Sequence, residues 1–523
     1  MCTHPTKISP PPSLESLAQL VLKHPMTALR VNTRNTYTSF LIATQSTLIK
    51  GASERRRIPC IKVPYRSVPL LIFTHTHLFQ SFTSVRFKMD APDNQIESHR
   101  PEDLPLEILD GPPANGVYKF SSFDDAEDVE DYRPGGLHPV HLGDWLSDER
   151  YHVLHKLGNG GYATVWLCRD VKTKRLVALK IIMAEESKQD CPDLKIQQWV
   201  AAKSSEALSS PLIALPTDRF WADGPNGRHL CLVLPLLGPR IDTVWNKFKD
   251  PQKILPKIAF QASQSLQLLH SLGICHGDFR PANILLRLSG LDELEEDSLF
   301  RLLKEPERDL ILLADGSRPG RGAPEYVVRP LNLSTLPSEM LTNNICLIDF
   351  GESFPVDIPP SDLGIPVSYS SPELLFEHDA AQSNDIWALA CTIFEIITGR
   401  KLFPDMFGDG EDVILQWVQL LGRMPDRWWN MWEFRKNFFD DEGKPTGTGA
   451  YGAKRITMEE CISESLTIKD ATTGVSRTLE VPASGRGMLA ALLLNLLRYD
   501  PKARCSSKEV TEHEYWKLEV EDP

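Results

Sequence analysis

The segment His276-Gly-Asp278-Phe-Arg280-Pro-Ala-Asn283, with Asp349-Phe350-Gly351 far downstream, constrains this chain more than any other feature. It sets a carboxylate five residues before an amide and keeps a second carboxylate in a separate, glycine-terminated segment. Oxygen-bearing side chains so spaced suit a site that handles phosphate through hard divalent cations. Asp278 would take the proton of an attacking hydroxyl, Asn283 would hold one Mg²⁺, and Asp349 would hold the ion that bridges nucleotide phosphates. Either piece alone is weak, because Asp and Asn recur in Asx-stabilised turns.

Neither piece is alone. Upstream lies Gly158-Asn159-Gly160-Gly161-Tyr-Ala163-Thr-Val165, then a charged turn and Val177-Ala178-Leu179-Lys180. The leading glycines let the backbone turn tightly over phosphates, and Val165 is placed to pack on a base. Lys180 ends a β-branched, apolar run suited to a buried strand, where an ammonium needs a partner. Phosphate oxygens and a helix carboxylate would supply one. Downstream follow Ser371-Pro372-Glu373, Asp385-Ile386-Trp387 and Arg504.

This ordered series resembles the eukaryotic protein kinases, from about Tyr151 to Trp516. Within that family the chain is most similar to the serine/arginine-rich protein kinases, in a divergent, fungal-type form. The finer likeness rests on Tyr132-Arg-Pro-Gly-Gly-Leu-His138-Pro-Val-His141-Leu-Gly143-Asp144 ahead of Arg150-Tyr151, on Gly161-Tyr-Ala-Thr-Val165-Trp166-Leu167, and on His229-Leu-Cys-Leu-Val-Leu234-Pro-Leu-Leu-Gly238. The resemblance implies an α+β, bilobal fold with a small β-rich N-lobe and a larger helical C-lobe. It also implies an ATP- and Mg²⁺-dependent serine/threonine protein kinase.

By the same resemblance, Leu157, Gly158, Asn159, Gly160, Gly161 and Val165 would cover the nucleotide. Ala178, Leu234 and the hinge from Leu236 to Gly238 would border adenine, and Lys180 would hold the α and β phosphates. Asp278 would be the catalytic base, Arg280 would offset charge on the transferred phosphate, and Asn283 and Asp349 would ligate metal. Glu373 would pair with Arg504, and Asp385 would brace the catalytic-loop backbone. The expected partners are protein substrates, Arg/Ser-rich ones among them, with no direct nucleic-acid or membrane binding and a monomeric state.

Composition adds limits. A chain of 523 residues exceeds one compact core and suits two lobes with extensions. Ten cysteines without paired C-x-x-C spacing point away from zinc and disulfides and toward a reducing compartment; Cys275 and Cys346 read as packing residues. No run approaches the ~20 apolar residues of a membrane span. Charge is split: residues 1–88 hold 12 Lys and Arg against 2 Asp and Glu, leaving 45 against 68, a net of −23, in the rest. The leader, dense in Arg at Arg55-Arg56-Arg57, has the composition of a mitochondrial transit peptide. The preferred expectation is a start at Met89 or a disordered leader, which places the protein in cytoplasm and nucleus. The acidic body argues against general nucleic-acid binding and for basic protein substrates.

The expected organisation is a basic leader over 1–88, a flexible acidic arm over 89–131, a domain extension over 132–150, an N-lobe with hinge over 151–238, and a C-lobe over 239–517. Helical periods fall at Asp193 to Ala202, Ile258 to Leu272, Ser383 to Thr398 and Met488 to Leu497. An insert at about 288–344 opens on the acidic run Asp292 to Asp297, read as the start of a short helix, followed by a loop from Gly316 to Pro324. It reads as a passive surface excursion. Trp428, Trp429 and Trp432 read as core.

Four departures from the family pattern matter. The partner of Lys180 is Asp193, one methylene shorter than the usual Glu, so pairing is expected to require inward movement of its helix. Arg280 stands for the usual catalytic-loop Lys, and its different reach is expected to slow catalysis. Gly277 replaces an Arg that elsewhere holds a phosphorylated activation segment, so no phosphate switch is expected. The segment Gly364 to Ser370 lacks the Arg typical before Ser-Pro-Glu, and in the docking region Asp412 supplies one expected acid while Gln419 replaces the second. Two alternatives stay open: a pseudokinase scaffold, and a small-molecule phosphotransferase of the aminoglycoside or choline type, against which the Glu373, Asp385 and Arg504 set argues.

Overall fold

The computed structural model describes residues 117–119, 121–408, 410–446, 454–469 and 476–519; the basic leader and residues 89–116 of the acidic arm lie outside them. The N-terminal half is built on a six-stranded sheet in the order β1-β2-β3-β4-β6-β5. Its strands are β1 (Trp145–Leu146), β2 (Tyr151–Gly160), β3 (Ala163–Asp170), β4 (Arg175–Ile182), β5 (Asp218–Gly224) and β6 (Gly227–Pro235), all antiparallel to their neighbours. Cross-strand partners share a face. Val165 opposes Lys180 and Ala178 opposes Leu234, so these four residues line one face of the sheet. Trp166, Cys168, Leu179, Ile181, Cys231 and Val233 alternate to the other, where they form a separate apolar cluster.

Helix α1 (Pro192–Lys203) starts with Pro at its first position, where a missing N–H costs nothing, and buries Leu194, Ile196 and Val200. Asp193 falls in its first turn, favoured by the helix dipole. Beyond the hinge, α2 (Pro251–Ser271) begins earlier than the expected Ile258, because its first-turn proline initiates the helix and the second, Pro256, is accommodated inside it.

Two short ladders then frame the loop at 276–283. Strand β7 (Ile274–Cys275) enters it and β8 (Ile284–Leu288) leaves it; β11 (Leu341–Leu347) pairs with β8, and β12 (Phe354–Pro355) returns to β7. The segment carrying Asp349 therefore crosses between the ladders beside that loop. No helix among the described residues is long and apolar enough to cross a membrane.

The insert is not a passive excursion. After α3 (Glu296–Leu303), its hairpin β9 (Arg308–Leu310) and β10 (Tyr326–Val328) lays Val328 into the outer-face cluster with Val140, Tyr151 and Trp166. The acidic opening is engaged as well: Leu176 N–H donates to Asp292 Oδ1 at 2.7 Å, and Arg169 donates to the carbonyls of Asp292 and Leu294. Leu331 N–H donates to the carbonyl of Lys156 at 2.9 Å.

The expected flexible arm is also corrected for its described part. Ser121 and Ser122 donate to Asp309, Val129 is buried, and Glu127 forms an ion pair with Lys156, both side chains being withdrawn from solvent. Tyr132 OH donates to the same Glu127 carboxylate at 2.5 Å. Sequence composition marked the acids as solvated; one of them meets an ammonium inside the fold, which pairing makes tolerable.

The C-terminal half adds α4 (Pro372–Glu377), α5 (Gln382–Thr398) and α6 (Glu411–Leu421). Helix α5 is buried from Asn384 to Thr398, and its Trp387 ring meets Trp417 at 5.4 Å and Phe403 at 6.1 Å. Trp428, Trp429 and Trp432 are buried in the same core, as expected.

Candidate active site

The loop at 276–283 is held from beneath by α5. Asp385 Oδ2 accepts the His276 N–H at 2.7 Å and Oδ1 accepts the Gly277 N–H at 2.9 Å, while His270 Nε2 sits 3.0 Å from Oδ2. Burial alone would raise the Asp385 pKa, but the His270 bond and neighbouring imidazoles hold it below the usual carboxylate range. Asp385 thus braces the loop as an anion. Gly277 has φ 82°, and a Cβ there would lie 2.2 Å from the Glu352 carbonyl oxygen. The position excludes any side chain, so the absent arginine is a packing requirement of this loop.

Within the loop, Asn283 Nδ2 donates to the Asp278 carbonyl at 2.8 Å and to its Oδ2 at 2.9 Å, and Arg280 Nε donates to both carboxylate oxygens at 2.9 Å. Asn283 Oδ1 accepts no hydrogen bond among the described residues. Burial raises the Asp278 pKa above the ordinary value, and Arg280 offsets only part of that. His276 fixes the geometry on both sides: Asp278 N–H donates to its Nδ1 at 3.2 Å, and its Nε2 donates to the Ile348 carbonyl at 3.2 Å. Ile348 immediately precedes Asp349, whose carboxylate is exposed and whose φ is 65°, a conformation Asp tolerates better than most residues. Phe350 is buried with its ring 5.5 Å from that of His276.

On the sheet, Lys180 Nζ lies 3.0 and 2.8 Å from the two oxygens of Asp193. The shorter carboxylate reaches because it stands in the first turn of α1, so no further helix movement is needed, contrary to expectation. Asp193→Ala would leave a half-buried ammonium unpartnered and is expected to lower kcat/KM by about tenfold or more, whereas Asp193→Glu should keep most of the activity; steady-state kinetics on both variants check this.

The remaining residues expected on the nucleotide side fall as follows. Gly158 pairs with Val165 and Gly160 with Ala163 across β2 and β3, and at Gly158, Gly160 and Gly161 a Cβ would meet open space. Among the described residues, Asn159 Oδ1 is buried without a hydrogen-bond partner. Leu157 and Leu236 are partly buried against the main core, Ala178 is buried, and Leu234 is half-buried. At the hinge Gly238 N–H donates to the Leu286 carbonyl at 2.7 Å, and a Cβ would lie 2.8 Å from Leu288 Cδ2, so glycine permits this close approach.

Further from the loop, Arg504 clasps Glu373 at 2.5 and 2.7 Å with both side chains 1% exposed, as expected. Ser368, Tyr369 and Ser370 are all buried, and Tyr369 OH donates to Glu395 Oε2 at 2.6 Å. Hydroxyls so enclosed are poor phosphate acceptors, and phosphatase treatment of the purified enzyme is expected to leave its rate on a peptide unchanged. A large loss would place a switch in this segment. Cys275 and Cys346 are buried, which pushes both thiols up, that of Cys346 to about 11.

The docking expectation for Asp412 is corrected. Its side chain is buried and Oδ2 accepts the Met406 N–H at 2.7 Å. Burial raises its pKa, with nearby Asp405 adding to the effect. It turns a loop and does not present a surface charge. Residues the sequence did not single out include Glu127, Lys156, His270 and Glu395. Each is a polar side chain largely withdrawn from solvent with a charged or hydroxyl partner distant in the chain, and no local pattern marks such a pair.

Comparison with known proteins agrees with this geometry. The protein kinase domain family matches residues 151–294 and 335–516, on either side of the hairpin-bearing part of the insert. The chain is 27% identical over 405 residues to "Serine/threonine-protein kinase SRPK" of Physarum polycephalum, covering 75% of this chain and 92% of that protein. It is 26% identical over 404 residues to "Protein kinase dsk1" of Schizosaccharomyces pombe, covering 61% and 74%. Over 173 residues it is 36% identical to "SRSF protein kinase 3" of Homo sapiens, covering 32% and 30%. With a matched kinase domain spanning both halves of the fold, the chain belongs to the eukaryotic protein kinase family, is similar within it to the SR protein kinases, and is a protein serine/threonine kinase.

Proposed function

We propose that this kinase transfers the γ-phosphate of ATP, with Mg²⁺, to serine or threonine hydroxyls of proteins and prefers serines beside arginine. The observation that carries the reading is the contact set of Asp278, Arg280 and Asn283, tied through His276 to the backbone beside Asp349. The donor chemistry fits the cofactor: an exposed carboxylate at Asp349 and an unengaged amide oxygen at Asn283 are hard oxygen ligands of the kind Mg²⁺ takes. Bound Mg²⁺ supplies charge neutralisation at the phosphates. Asp278 takes the hydroxyl proton, and Asn283 fixes the carboxylate's orientation for it. Lys180, aligned by Asp193, positions phosphate oxygens, and Arg280 supplies positive charge beside the base.

The arginine preference is supported by the −23 net charge of residues 89–523 and by the likeness to kinases named for SRSF substrates. With Asp412 buried, discrimination should be modest. In an assay of the full chain with ATP and Mg²⁺, kcat/KM for an Arg-Ser peptide is expected to exceed that for an Ala-Ser control by less than about tenfold, the worth of a partly exposed ion pair. Gln419→Glu should widen the gap, and added salt should narrow it. Equal rates at low salt would remove the arginine preference.

A further inference from the structure

Two Ser-Arg dipeptides occur among the described residues, and the fold treats them differently. Ser476 lies in β14 (Ser476–Leu479), paired with Lys469 of β13 (Leu466–Lys469), and Arg477 donates to the Phe248 carbonyl. That serine is locked in a ladder. Ser317-Arg318-Pro-Gly-Arg321 instead forms an irregular, exposed stretch of the insert, with Ser317, Arg318 and Arg321 all open to solvent. Neither arginine makes a hydrogen bond or ion pair among the described residues. The stretch is anchored at its ends, where Leu313 N–H donates to the Ser317 carbonyl at 2.9 Å and Asn226 Nδ2 to the Gly322 carbonyl at 2.6 Å.

We propose that Ser317 is a phosphorylation site modified in trans by a second copy of this kinase, selected by the arginines that follow it; the proposal rests on the arginine-directed reading above. Ser317 Oγ attacks the γ-phosphorus of ATP held by the acting copy. The new Oγ–P bond forms as the bond to the β,γ-bridging oxygen breaks, ADP departs, and the hydroxyl proton passes to that copy's Asp278. The reaction is between molecules because the insert hairpin packs on the outer face of the sheet, opposite the face carrying Lys180, and the anchored stretch is thereby kept from its own cleft.

The surroundings suit the product. Asp315 Oδ1 now accepts the Ser317 N–H at 2.8 Å and its hydroxyl at 2.6 Å. A phosphate adds a charge of about −2 beside that carboxylate, yet Lys119 stands near it and Arg318 follows it directly in the chain. Lys119 Nζ lies 3.5 Å from where a Cβ on Gly316 would be. Lys119 belongs to the segment that pairs with the insert through Lys119 N–H to Leu312 and Ala314 N–H to Val117. The phosphate would tie that segment to the insert.

The test uses the full chain carrying Asp278→Asn as acceptor and the full chain carrying Ser317→Ala as enzyme, so that any Ser317 phosphate lies on the acceptor, with ATP, Mg²⁺ and an Arg-Ser peptide in the same reaction, read by phosphopeptide mass spectrometry. Phosphate is expected on Ser317 and not on Ser476, and none on Ser317 when the D278N chain is incubated alone. An acceptor also carrying Arg318→Ala and Arg321→Ala should be labelled several-fold more slowly. Peptide phosphorylation with Ser317 unmodified overturns the proposal and leaves the arginine-directed reading standing; an unchanged rate in the arginine-free acceptor overturns the selection by arginine. Failure to phosphorylate either peptide or Ser317 overturns both readings. Ser317→Ala enzyme should turn over the peptide normally and lose the phosphate from that tryptic fragment.

Discussion

Asp349→Asn is expected to reduce Mg²⁺-dependent kcat by about 10³-fold or more, roughly 4 kcal/mol of transition-state stabilisation, while leaving the thermal midpoint where it was. The loss would follow from removing the charge proposed to bind metal. The stability is spared because the carboxylate is exposed and is held by a long, 3.4 Å bond from the Gly351 N–H. Asn also tolerates the 65° φ of this position, so the backbone should not rearrange. Single-turnover kinetics over a Mg²⁺ titration, with a melting curve on the same preparation, decide it. Undiminished turnover at matched stability would sink the assignment of Asp349.

Glu373→Ala is expected to act in the opposite way, through the fold. It removes the partner of an arginine with a 1% exposed side chain, along with the acceptor for Asn384 at 3.0 Å, and leaves the guanidinium buried without its countercharge. Breaking one side of such a pair costs about 3–5 kcal/mol, and a drop in Tm of roughly 5–10 °C follows. Arg504→Ala should cost a similar amount. The double variant should lose less than the two singles summed, because no unpaired charge remains inside. Additive losses would show that the pair is not a coupled unit.

Much of the site was legible in sequence because it lies in short, ordered segments with fixed internal spacing. Asp278 and Asn283 are five residues apart on one loop, and Val165, Ala178 and Lys180 sit on strands whose alternation shares them to one face. Local geometry decides such relationships, so a single sequence carries them. The motif resemblance carried the two-lobed α+β class, while the helix holding Asp193 and the burial of the Trp428 cluster follow from periodicity and apolar content for the same reason.

What tertiary structure decided concerns residues whose environment is set by distant chain. Asp412 stands where a docking acid is expected, yet the turn at Met406 folds over it and makes it a buried acceptor. Asp193 reads as too short, yet the start of α1 places it within 3 Å of Lys180. Gly277 reads as the loss of a phosphate-binding arginine, and only the approach of the Glu352 carbonyl shows that no side chain fits. The acidic arm and the insert read as solvated excursions, since neither has a repeating apolar period. Glu127 and Lys156 become partners, and Val328 becomes core, only when the sheet brings together segments far apart in sequence. The sequence by itself determined the fold class and the kinase family, through an ordered series of short motifs; burial and charge pairing across long loops were decided by packing, which no local pattern records.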